Sequence, residues 1–254
     1  MHQAESDKPV FVILGATGSV GSELARRIMM SGDRVVLAGR DRESLQALGE
    51  ELDCPIHDVE ANDPDSITRC LHSSAESCGR IDGIVNCIGS VLLKAAHATS
   101  DEEWNETIAV NLTSAFTVVR AAGTLMRRSG GSVVLMSSAA AQIGLANHEA
   151  IAAAKAGIIG LTRSAAATYA NRGIRFNAVA PGLVKSKMTR RLWETPAAES
   201  MSVASHALGR LGEPSDVASL IQWMLHLENN WMTGQVIGID GGLANIAPRK
   251  RTKN

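Results

Sequence analysis

The feature that most constrains the fold is an apolar stretch followed at once by a glycine-rich turn and a helix-forming segment. Residues Val10 to Leu14 are all apolar, which is typical of a parallel strand buried on both faces of a sheet. The next seven residues read Gly15-Ala-Thr-Gly-Ser-Val-Gly21, and Ser22 to Met30 has a helical pattern. This order predicts a pyrophosphate site, because glycines let backbone N–H groups and the helix N-terminus approach the phosphates. The candidate ligands are Gly15, Thr17, Gly18, Ser19, Val20 and Gly21.

The end of the second predicted strand indicates which dinucleotide would bind. Arg34 to Ala38 reads as a strand and is followed by Gly39-Arg40-Asp41. A dinucleotide-binding fold contacts the adenosine ribose at this point. A carboxylate there would accept hydrogen bonds from a free 2′-hydroxyl, whereas Arg40 offers a guanidinium suited to a 2′-phosphate. We therefore expect NADP rather than NAD; a solvated arginine at a helix start is the alternative interpretation of Arg40.

Strand and helix patterns alternate along the rest of the chain without a long linker or a low-complexity segment. The predicted strands are 55–59, 81–87, 132–136, 174–180 and 235–240, and the predicted helices are 44–52, 64–78, 101–127, one ending at Ala170, and 215–226. This order predicts an α/β protein with a single doubly wound parallel sheet of the Rossmann type. We expect one domain over residues 1–254, with a core at 9–245 and tails at 1–8 and 246–254.

The overall composition excludes several classes of partner. The net charge is −1 and aromatic residues make up 3% of the 254 residues, which argues against nucleic acid and anionic membranes as partners. The four cysteines have no metal-binding spacing, and we expect no metal site and reduced thiols. The polar N-terminus lacks the apolar segment of a secretory signal, and no apolar run has the length of a membrane span. We therefore expect a cytoplasmic protein.

The reactive groups are concentrated between Met136 and Gly157. A predicted strand ends in Ser137-Ser138, and an alanine-rich helical segment follows after about ten loop residues. Lys155 lies seven residues after His148, so a continuous helix would place both on one face, about 10 Å apart. Ile151 lies between them. The ammonium, hydroxyl and imidazole groups predict a site that handles protons, with a hydrocarbon at its middle position.

Two further segments bear on this site. Asn111 falls at the edge of the apolar stripe of the 101–127 helix, where it is either a hydrogen-bonded core residue or a polar anchor beside the site. Residues 187–208 have an irregular, amphipathic pattern after a strand end, and we interpret them as a mobile lid over a substrate. The expected pocket is mainly apolar, and its predicted lining is the lid together with Ile143, Leu145, His148, Ile151 and Leu183. It suits a moderately hydrophobic carbonyl compound.

Taken together, these motifs resemble the short-chain dehydrogenase/reductase family over residues 9–245. The motifs that carry the resemblance are the glycine turn, Asp58-Val59, Asn86-x-x-Gly89, Asn111, Ser138, Lys155, Pro181-Gly182, the segment from Gly209 to Ala218, Thr233-Gly-Gln and Asp240-Gly-Gly. The resemblance implies an NAD(P)-dependent oxidoreductase acting on a small carbonyl or alcohol substrate, and a homodimer or homotetramer built on the helices near Asp101 and Glu149.

The resemblance also implies roles for individual residues. Ser138 would orient the substrate oxygen, Lys155 would hold the nicotinamide ribose, and Asn111 would hold a water in a proton relay. Cofactor contacts are expected from Asp58, Val59, Asn86, Gly89, Lys155, Pro181, Gly182, Val184 and Ser186.

The chain departs from the family pattern at two places. The family's catalytic tyrosine, four residues before the lysine and thirteen after the serine, corresponds to Ile151. The single tyrosine, Tyr169, would lie over 25 Å further along the helix at about 1.5 Å per residue and cannot replace it. In the glycine turn, Ser19 stands at the family's middle glycine, which leaves the path of the turn open.

Three hypotheses follow from the missing tyrosine. The protein is an oxidoreductase in which His148 supplies the proton, since histidine titrates near neutral pH; a solvent-facing His148 is the alternative. Otherwise, it binds NADP(H) without redox chemistry, as a sensor or as an inactive subunit. A non-redox lyase or isomerase reaction in the same pocket is the third hypothesis.

Overall fold

Seven parallel strands form one sheet in the computed structural model, which describes residues 8–247. The strands are β1 (Val10–Leu14), β2 (Arg34–Gly39), β3 (Ile56–Asp58), β4 (Gly83–Asn86), β5 (Gly131–Met136), β6 (Ile174–Pro181) and β7 (Val236–Ile239). Their order across the sheet is β3-β2-β1-β4-β5-β6-β7. Since the chain winds outward from β1 and β4 in opposite directions, the predicted doubly wound parallel sheet is confirmed. The predicted tails lie mostly outside the described residues.

Seven α-helices connect or flank these strands in the described part of the chain. They are α1 (Ser19–Met30), α2 (Arg42–Leu52), α3 (Pro64–Cys78), α4 (Asp101–Leu125), α5 (Glu149–Tyr169), α6 (Pro196–Ala204) and α7 (Pro214–Leu225). Local chemistry sets their ends. Ser100 and Glu103 form a reciprocal capping box at the start of α4. After α5 and a short 3₁₀ turn, Gly173 adopts φ +69°, a left-handed conformation that glycine readily takes at a helix end.

The two faces of the sheet are both buried, as the uninterrupted apolar strands predict. In β1, Val10, Val12 and Leu14 belong to one core cluster, whereas Phe11 and Ile13 belong to the cluster on the opposite face. This alternation follows from the two-residue period of a strand. Burying each of these side chains stabilises the fold by roughly 1.5–3 kcal/mol. The sheet is therefore a rigid platform whose carboxyl edge carries the loops described below.

Helix α4 is the one helix in the described region with the length and apolar composition of a membrane span. Within this fold, 56% of its most apolar window is buried, and Ala115, Val118 and Ala122 belong to the core cluster on one face of the sheet. The apolar character of α4 is thus used to cover the sheet. Its middle is irregular: residues Ala109–Thr113 form a π-helical turn between two α-helical parts.

Candidate functional site

The glycine turn after β1 passes very close to neighbouring backbone. Gly15 has φ +75°, and a Cβ atom there would lie 2.9 Å from the backbone carbon of Cys87. A Cβ atom on Gly21 would lie 2.5 Å from the carbonyl oxygen of Gly15. Both distances are shorter than van der Waals contact. Any side chain at these two positions would therefore displace the turn.

Helix α1 begins at Ser19, three residues earlier than predicted, because Gly18 already serves as its N-cap. The carbonyl of Gly18 accepts a hydrogen bond from the Ser22 N–H at 2.9 Å. No side chain caps this helix, and its first turn carries no acidic residue. The unpaired N–H groups and the positive end of the helix dipole fit an anionic pyrophosphate. Thr17, Ser19 and Val20 are only partly buried beside it.

The end of β2 presents an exposed guanidinium and a carboxylate that is already engaged. Arg40 is exposed. Asp41 accepts hydrogen bonds from the N–H of Ser44 at 3.2 Å and from its hydroxyl at 2.7 Å, which caps α2 and holds the pKa of Asp41 below its usual value. Asp58 is paired with Arg42 at 3.1 Å. The arrangement leaves Arg40 free to meet an anion, while Asp41 is occupied by the start of α2.

The loops after β3 and β4 bring further predicted cofactor residues to the same edge of the sheet. Val59 is buried, and its N–H donates to the carbonyl of Gly39 at 2.9 Å. Asn86 is buried and accepts a hydrogen bond from the Ile88 N–H at 3.1 Å, which shapes the turn towards Gly89. The Val59 backbone and the Asn86 side chain thus hold these two loops in place at the carboxyl edge of the sheet.

Asn111 lies in the π-helical turn and is completely buried. Its side-chain oxygen accepts from the Ser90 N–H at 3.1 Å, and its amide nitrogen donates to the Ser90 hydroxyl and the Thr107 carbonyl, each at 2.9 Å. The sequence left open whether Asn111 is a satisfied core residue or a polar anchor, and these contacts fit both descriptions. Asn111 fastens the loop after β4 to helix α4.

The side chains of Lys155 and Asn111 both approach Gly89 in the loop after β4. A Cβ atom on Gly89 would lie 3.2 Å from the Asn111 Oδ1 and 3.4 Å from the Lys155 Nζ, so the missing side chain makes room for both groups. Lys155 donates to the Met136 carbonyl at 2.9 Å. Burial lowers the pKa of Lys155 to about 8, and the nearby Cys87 thiol acts in the opposite direction.

The segment after β6 is tied together by Thr189. The hydroxyl of Thr189 donates to the Val184 carbonyl at 2.6 Å and accepts from the Ser186 N–H at 3.2 Å. Pro181 and Gly182 precede the residues that Thr189 binds, and both border a cavity at the carboxyl edge of the sheet. Of the cofactor residues predicted in this segment, Pro181 and Gly182 therefore lie at the cavity, whereas Val184 and Ser186 do not line it.

The cavity has a volume of about 290 Å³ and is mainly apolar. Ser138, His148 and Ile151 line it together, as do Leu145, Leu183 and, from the 187–208 segment, Thr189, Leu192, Ser202, Ser205 and His206. Two details of the predicted lining are wrong. Ile143 does not line the cavity, and Val91 and Leu93 do. These two residues follow β4 in an irregular loop, where no sequence pattern shows which side chain points inward.

His148 also differs from the prediction. It precedes the first residue of α5, with φ −113° and ψ 12°, and its Nδ1 atom lies 2.7 Å from the Ala146 carbonyl oxygen. The side chain borders the cavity, whereas Lys155 is directed inward to the end of β5. His148 is thus the N-cap of α5 and not part of the continuous helix on which the predicted alignment with Lys155 was based, and the alignment itself stays a prediction. Asn147, with φ +62°, turns the chain immediately before His148.

Comparison with known proteins shows which family the chain belongs to. The family profile described as Enoyl-(Acyl carrier protein) reductase matches residues 15–244. The 3-oxoacyl-[acyl-carrier-protein] reductase FabG of Thermotoga maritima is 33% identical over 240 residues, covering 92% of this chain and 97% of that protein. The chain belongs to the short-chain dehydrogenase/reductase family. The predicted resemblance is confirmed, and the relatives place the chain among the short-chain oxidoreductases.

Other members of the short-chain dehydrogenase/reductase family are comparably similar. The inactive 2-(S)-hydroxypropyl-CoM dehydrogenase 2 of Xanthobacter autotrophicus is 32% identical over 230 residues, which cover 88% of this chain and all of that protein (100%). A solved structure of a phenylalanine-to-tryptophan variant of actinorhodin polyketide ketoreductase with NADPH superimposes with a TM-score of 0.88. It is 28% identical and covers 95% of this chain and 99% of that one.

Proposed function

We propose that this protein is an NADP(H)-dependent oxidoreductase of the carbonyl reductase or alcohol dehydrogenase type, in which His148 takes the place of the family's tyrosine. The observation that carries the proposal is that Ser138, His148 and Ile151 line one apolar cavity at the carboxyl edge of the sheet. A substrate carbonyl in this cavity would meet a hydroxyl and an imidazole. Both groups are capable of polarising or protonating a carbonyl oxygen.

The residues of the cleft fit NADP(H). Gly15 and Gly21 leave no room for side chains beside an uncapped helix start, where a pyrophosphate would bind. Arg40 would hold the 2′-phosphate, and NAD is disfavoured because the carboxylate of Asp41 is engaged at the start of α2. The NADPH in the related ketoreductase structure agrees with this choice. When bound, the cofactor supplies or accepts the hydride.

Three side chains would prepare the substrate and the cofactor for reaction. The Ser138 oxygen accepts from the Ala140 N–H at 3.1 Å, so its own proton is free to be donated to a substrate oxygen. Lys155 would hold the nicotinamide ribose. Both N–H bonds of the Asn111 amide are used by Ser90 and Thr107, which leaves a lone pair of Oδ1 as the group that can receive a water.

His148 would supply the proton through Nε2. Because the Ala146 carbonyl can only accept, the short contact at Nδ1 means that Nδ1 carries hydrogen. Nε2 is then an acceptor in the neutral ring and a donor in the imidazolium. Reduction of a carbonyl requires the imidazolium, whereas oxidation of an alcohol requires the neutral ring. The direction of reaction therefore sets the sign of the pH dependence.

We also propose the remaining features of the assembly. Residues 187–208 form a lid, because their side chains cover the cavity. The substrate is an apolar carbonyl or alcohol compound, since no Lys, Arg, Asp or Glu among residues 8–247 lines the cavity. The protein forms a homodimer or homotetramer in the cytoplasm, with Trp104 and Phe116 on α4, 43% and 50% exposed, offering apolar surface to a second copy.

A second candidate is an NADP(H)-binding protein without redox activity. Ile151 is a buried hydrocarbon in the cavity wall and supplies no proton. The relative from Xanthobacter autotrophicus is itself described as inactive. In this case the cleft would bind the cofactor, and the protein would act as a sensor or as a subunit of a mixed oligomer.

One set of measurements separates the two candidates. NADPH and NADH are titrated by fluorescence, and a panel of apolar ketones and aldehydes is then followed at the cofactor absorbance. The reductase proposal expects NADPH-dependent turnover, and His148→Gln should lower it by about 10²–10⁴-fold without changing NADPH affinity. His72→Gln, at an exposed histidine on α3, is the matched control. Equal turnover of His148→Gln and wild type would exclude His148 as donor, and NADPH binding without turnover across the panel would favour the second candidate.

A further inference from the structure

His206 is a buried histidine that the proposed chemistry does not use. It follows helix α6 and is 5% exposed. Its side chain lines the substrate cavity, and on its other side it borders a small cavity shared with Arg210, Asp216 and Asp240. A buried imidazole at the junction between the lid and the end of β6 needs a hydrogen-bond partner on both nitrogens, because an unpaired buried nitrogen destabilises the folded protein.

The hydrogen bonds of His206 determine where its proton lies. The Nε2 atom is 3.1 Å from the backbone nitrogen of Leu183, which can only donate, so Nε2 carries no hydrogen. The Nδ1 atom is 2.8 Å from the carbonyl oxygen of Ser202, which can only accept, so Nδ1 carries the hydrogen. The contacts therefore require a neutral ring in the Nδ1–H tautomer. This ring connects α6 to the loop after β6.

Glycines form two walls of the slot that holds the ring. A Cβ atom on Gly182 would lie 2.8 Å from Nε2 of His206, which is closer than non-bonded atoms approach. On the other side, a Cβ atom on Gly241 would lie 3.5 Å from Cβ of His206, and Gly241 has φ +60°. The backbone on both sides is thus fitted closely around the imidazole. A ring that lost its hydrogen bonds could not find new partners by a small rotation.

We propose that neutral His206 is a positioning residue that fastens helix α6 over the substrate cavity, and that protonation of its ring releases this helix. The imidazolium would direct an N–H group at the N–H of Leu183, which replaces a hydrogen bond by a repulsion. The bond between Nδ1 and Ser202 lies within the lid, so the remaining attachments here would be the hydrogen bond from the Leu208 N–H to the Gly241 carbonyl at 3.0 Å and the ion pair of Lys185 with Glu199 at 2.9 Å. The proposal rests on the proposed function in treating residues 187–208 as a lid.

The charged groups around His206 are already engaged with other partners. Asp240 accepts from the N–H groups of Gly242 and Ala244 at 2.9 and 2.8 Å. Arg210 and Asp216 form a two-bond ion pair at 2.6 and 2.9 Å. Across the substrate cavity, the titratable group is His148. On α6 itself, Glu199 pairs with Lys185 at 2.9 Å. No carboxylate of the described residues lies within ion-pair distance of the His206 ring, so protonation would gain no partner there.

Histidine ¹⁵N NMR tests the tautomer directly on the wild-type protein without cofactor. At about pH 8 the His206 signals, assigned with His206→Phe, should show a protonated Nδ1 and an unprotonated Nε2. An Nε2–H tautomer, or a ring already charged at this pH, would overturn the proposal. The measurement needs neither turnover nor a known substrate, so its outcome is independent of the reductase proposal.

Hydrogen exchange detected by mass spectrometry tests the release of the lid. Relative to intrinsic exchange rates, peptides from residues 187–205 should exchange about tenfold faster at about pH 5.5 than at pH 8, the change expected for one lost hydrogen bond. His206→Phe and His206→Gln should exchange fast at both pH values, while peptides of α5 remain protected. Equal lid protection at both pH values in the wild type would overturn the proposal even if neither variant folds.

Discussion

The side-chain ammonium of Lys155 donates a hydrogen bond to the carbonyl oxygen of Met136 at 2.9 Å, at the carboxyl end of β5. The backbone carbonyl of Lys155 in turn accepts from the hydroxyl of Ser137 at 2.9 Å. Two bonds thus attach one residue of α5 to two consecutive residues at the end of β5. The lysine is 6% exposed and has no carboxylate partner in the described part of the chain, which explains why its pKa is lowered.

The lowered pKa of Lys155 predicts a pH-dependent stability of the cofactor-free protein. Because its folded pKa of about 8 lies below lysine's ordinary value of 10.5, the unfolded chain binds more protons between these two pH values. The contribution of Lys155 to the free energy of unfolding should therefore rise by about 3 kcal/mol as the pH increases from 8 to 10.5. Urea denaturation of wild type and Lys155→Met across this range measures this contribution. The pH-dependent rise that Lys155 causes should be absent from the variant. Lys187→Met, at an exposed lysine, is the control, and parallel curves for Lys155→Met and wild type would contradict the prediction.

Removing the Asn111 amide should destabilise the protein through the loop after β4. Asn111→Leu leaves the Ser90 N–H and hydroxyl without their partner, at a cost of about 2–4 kcal/mol, or a decrease of roughly 5–10 °C in melting temperature. Ser90→Ala removes one of these bonds and should cost about 1 kcal/mol. Thermal unfolding checks the order of the two effects. An Asn111→Leu variant as stable as Ser90→Ala would show that the loop does not depend on this amide.

The glycine turn provides a prediction about cofactor affinity. Gly21→Ala places a methyl group 2.5 Å from the Gly15 carbonyl oxygen, so the turn must move and NADPH affinity should fall by at least about tenfold. Gly160→Ala is the matched control, because this glycine lies inside α5 with open space at its Cβ position. That substitution should stabilise the protein by about 0.5–1 kcal/mol and leave NADPH binding unchanged. Fluorescence titration and thermal unfolding measure both effects.

The sequence predicts the sheet and the cleft well because each depends on short-range patterns. The buried run from Val10 to Leu14 and the glycines that follow it permit few local structures, and the structure agrees with the prediction. The predicted helix ends differ from the structure by one to three residues, as at the start of α1. A glycine such as Gly18 caps a helix without a side chain that would mark the helix start in the sequence. These differences do not change which residues reach the edge of the sheet.

Contacts that join distant segments could not be predicted. The irregular loop before α5 turns at Asn147 because the Lys94 N–H donates to the Asn147 carbonyl at 2.8 Å, and this pairing has no counterpart in the local pattern. The same applies to His206, whose Nε2 atom accepts a hydrogen bond from the N–H of Leu183. These two residues are 23 positions apart in the chain. No sequence pattern around His206 indicated that its ring would be buried and hydrogen-bonded. Contacts of this kind form only when distant segments of the chain pack together.

Arg40 should decide between the two nicotinamide cofactors. If its guanidinium binds the 2′-phosphate, Arg40→Ser should weaken NADPH binding by about 10–100-fold, the range expected for a lost charge-assisted hydrogen bond, and leave NADH binding unchanged. Arg42→Ser is the control, since Arg42 lies two residues after Arg40 and this change removes only an exposed ion pair with Asp58. Fluorescence titrations with both nucleotides provide the measurement. Equal losses for NADPH and NADH would mean that Arg40 does not read the phosphate.

Ile151→Tyr should increase carbonyl reduction if the absent hydroxyl limits this site. Ile151 borders the cavity together with Ser138, and the space of about 290 Å³ can receive a larger ring. A phenol beside Lys155 would have its pKa lowered by the ammonium charge and could donate a proton near neutral pH. In the His148→Gln background, which lacks the proposed donor, we expect Ile151→Tyr to raise turnover with NADPH by about 10²–10⁴-fold, the usual contribution of a positioned acid.

The matched variant Ile151→Phe separates the hydroxyl from the volume of the ring. Phenylalanine fills nearly the same space as tyrosine but cannot donate a proton, so a gain specific to tyrosine belongs to the hydroxyl. Combining Ile151→Tyr with His148→Gln adds a second comparison. If His148 is the native donor, the tyrosine should make turnover insensitive to His148→Gln, because the two groups would supply the same proton. A tyrosine variant that binds NADPH but reduces no compound of the panel would instead indicate that the cavity does not hold a carbonyl in a reactive position.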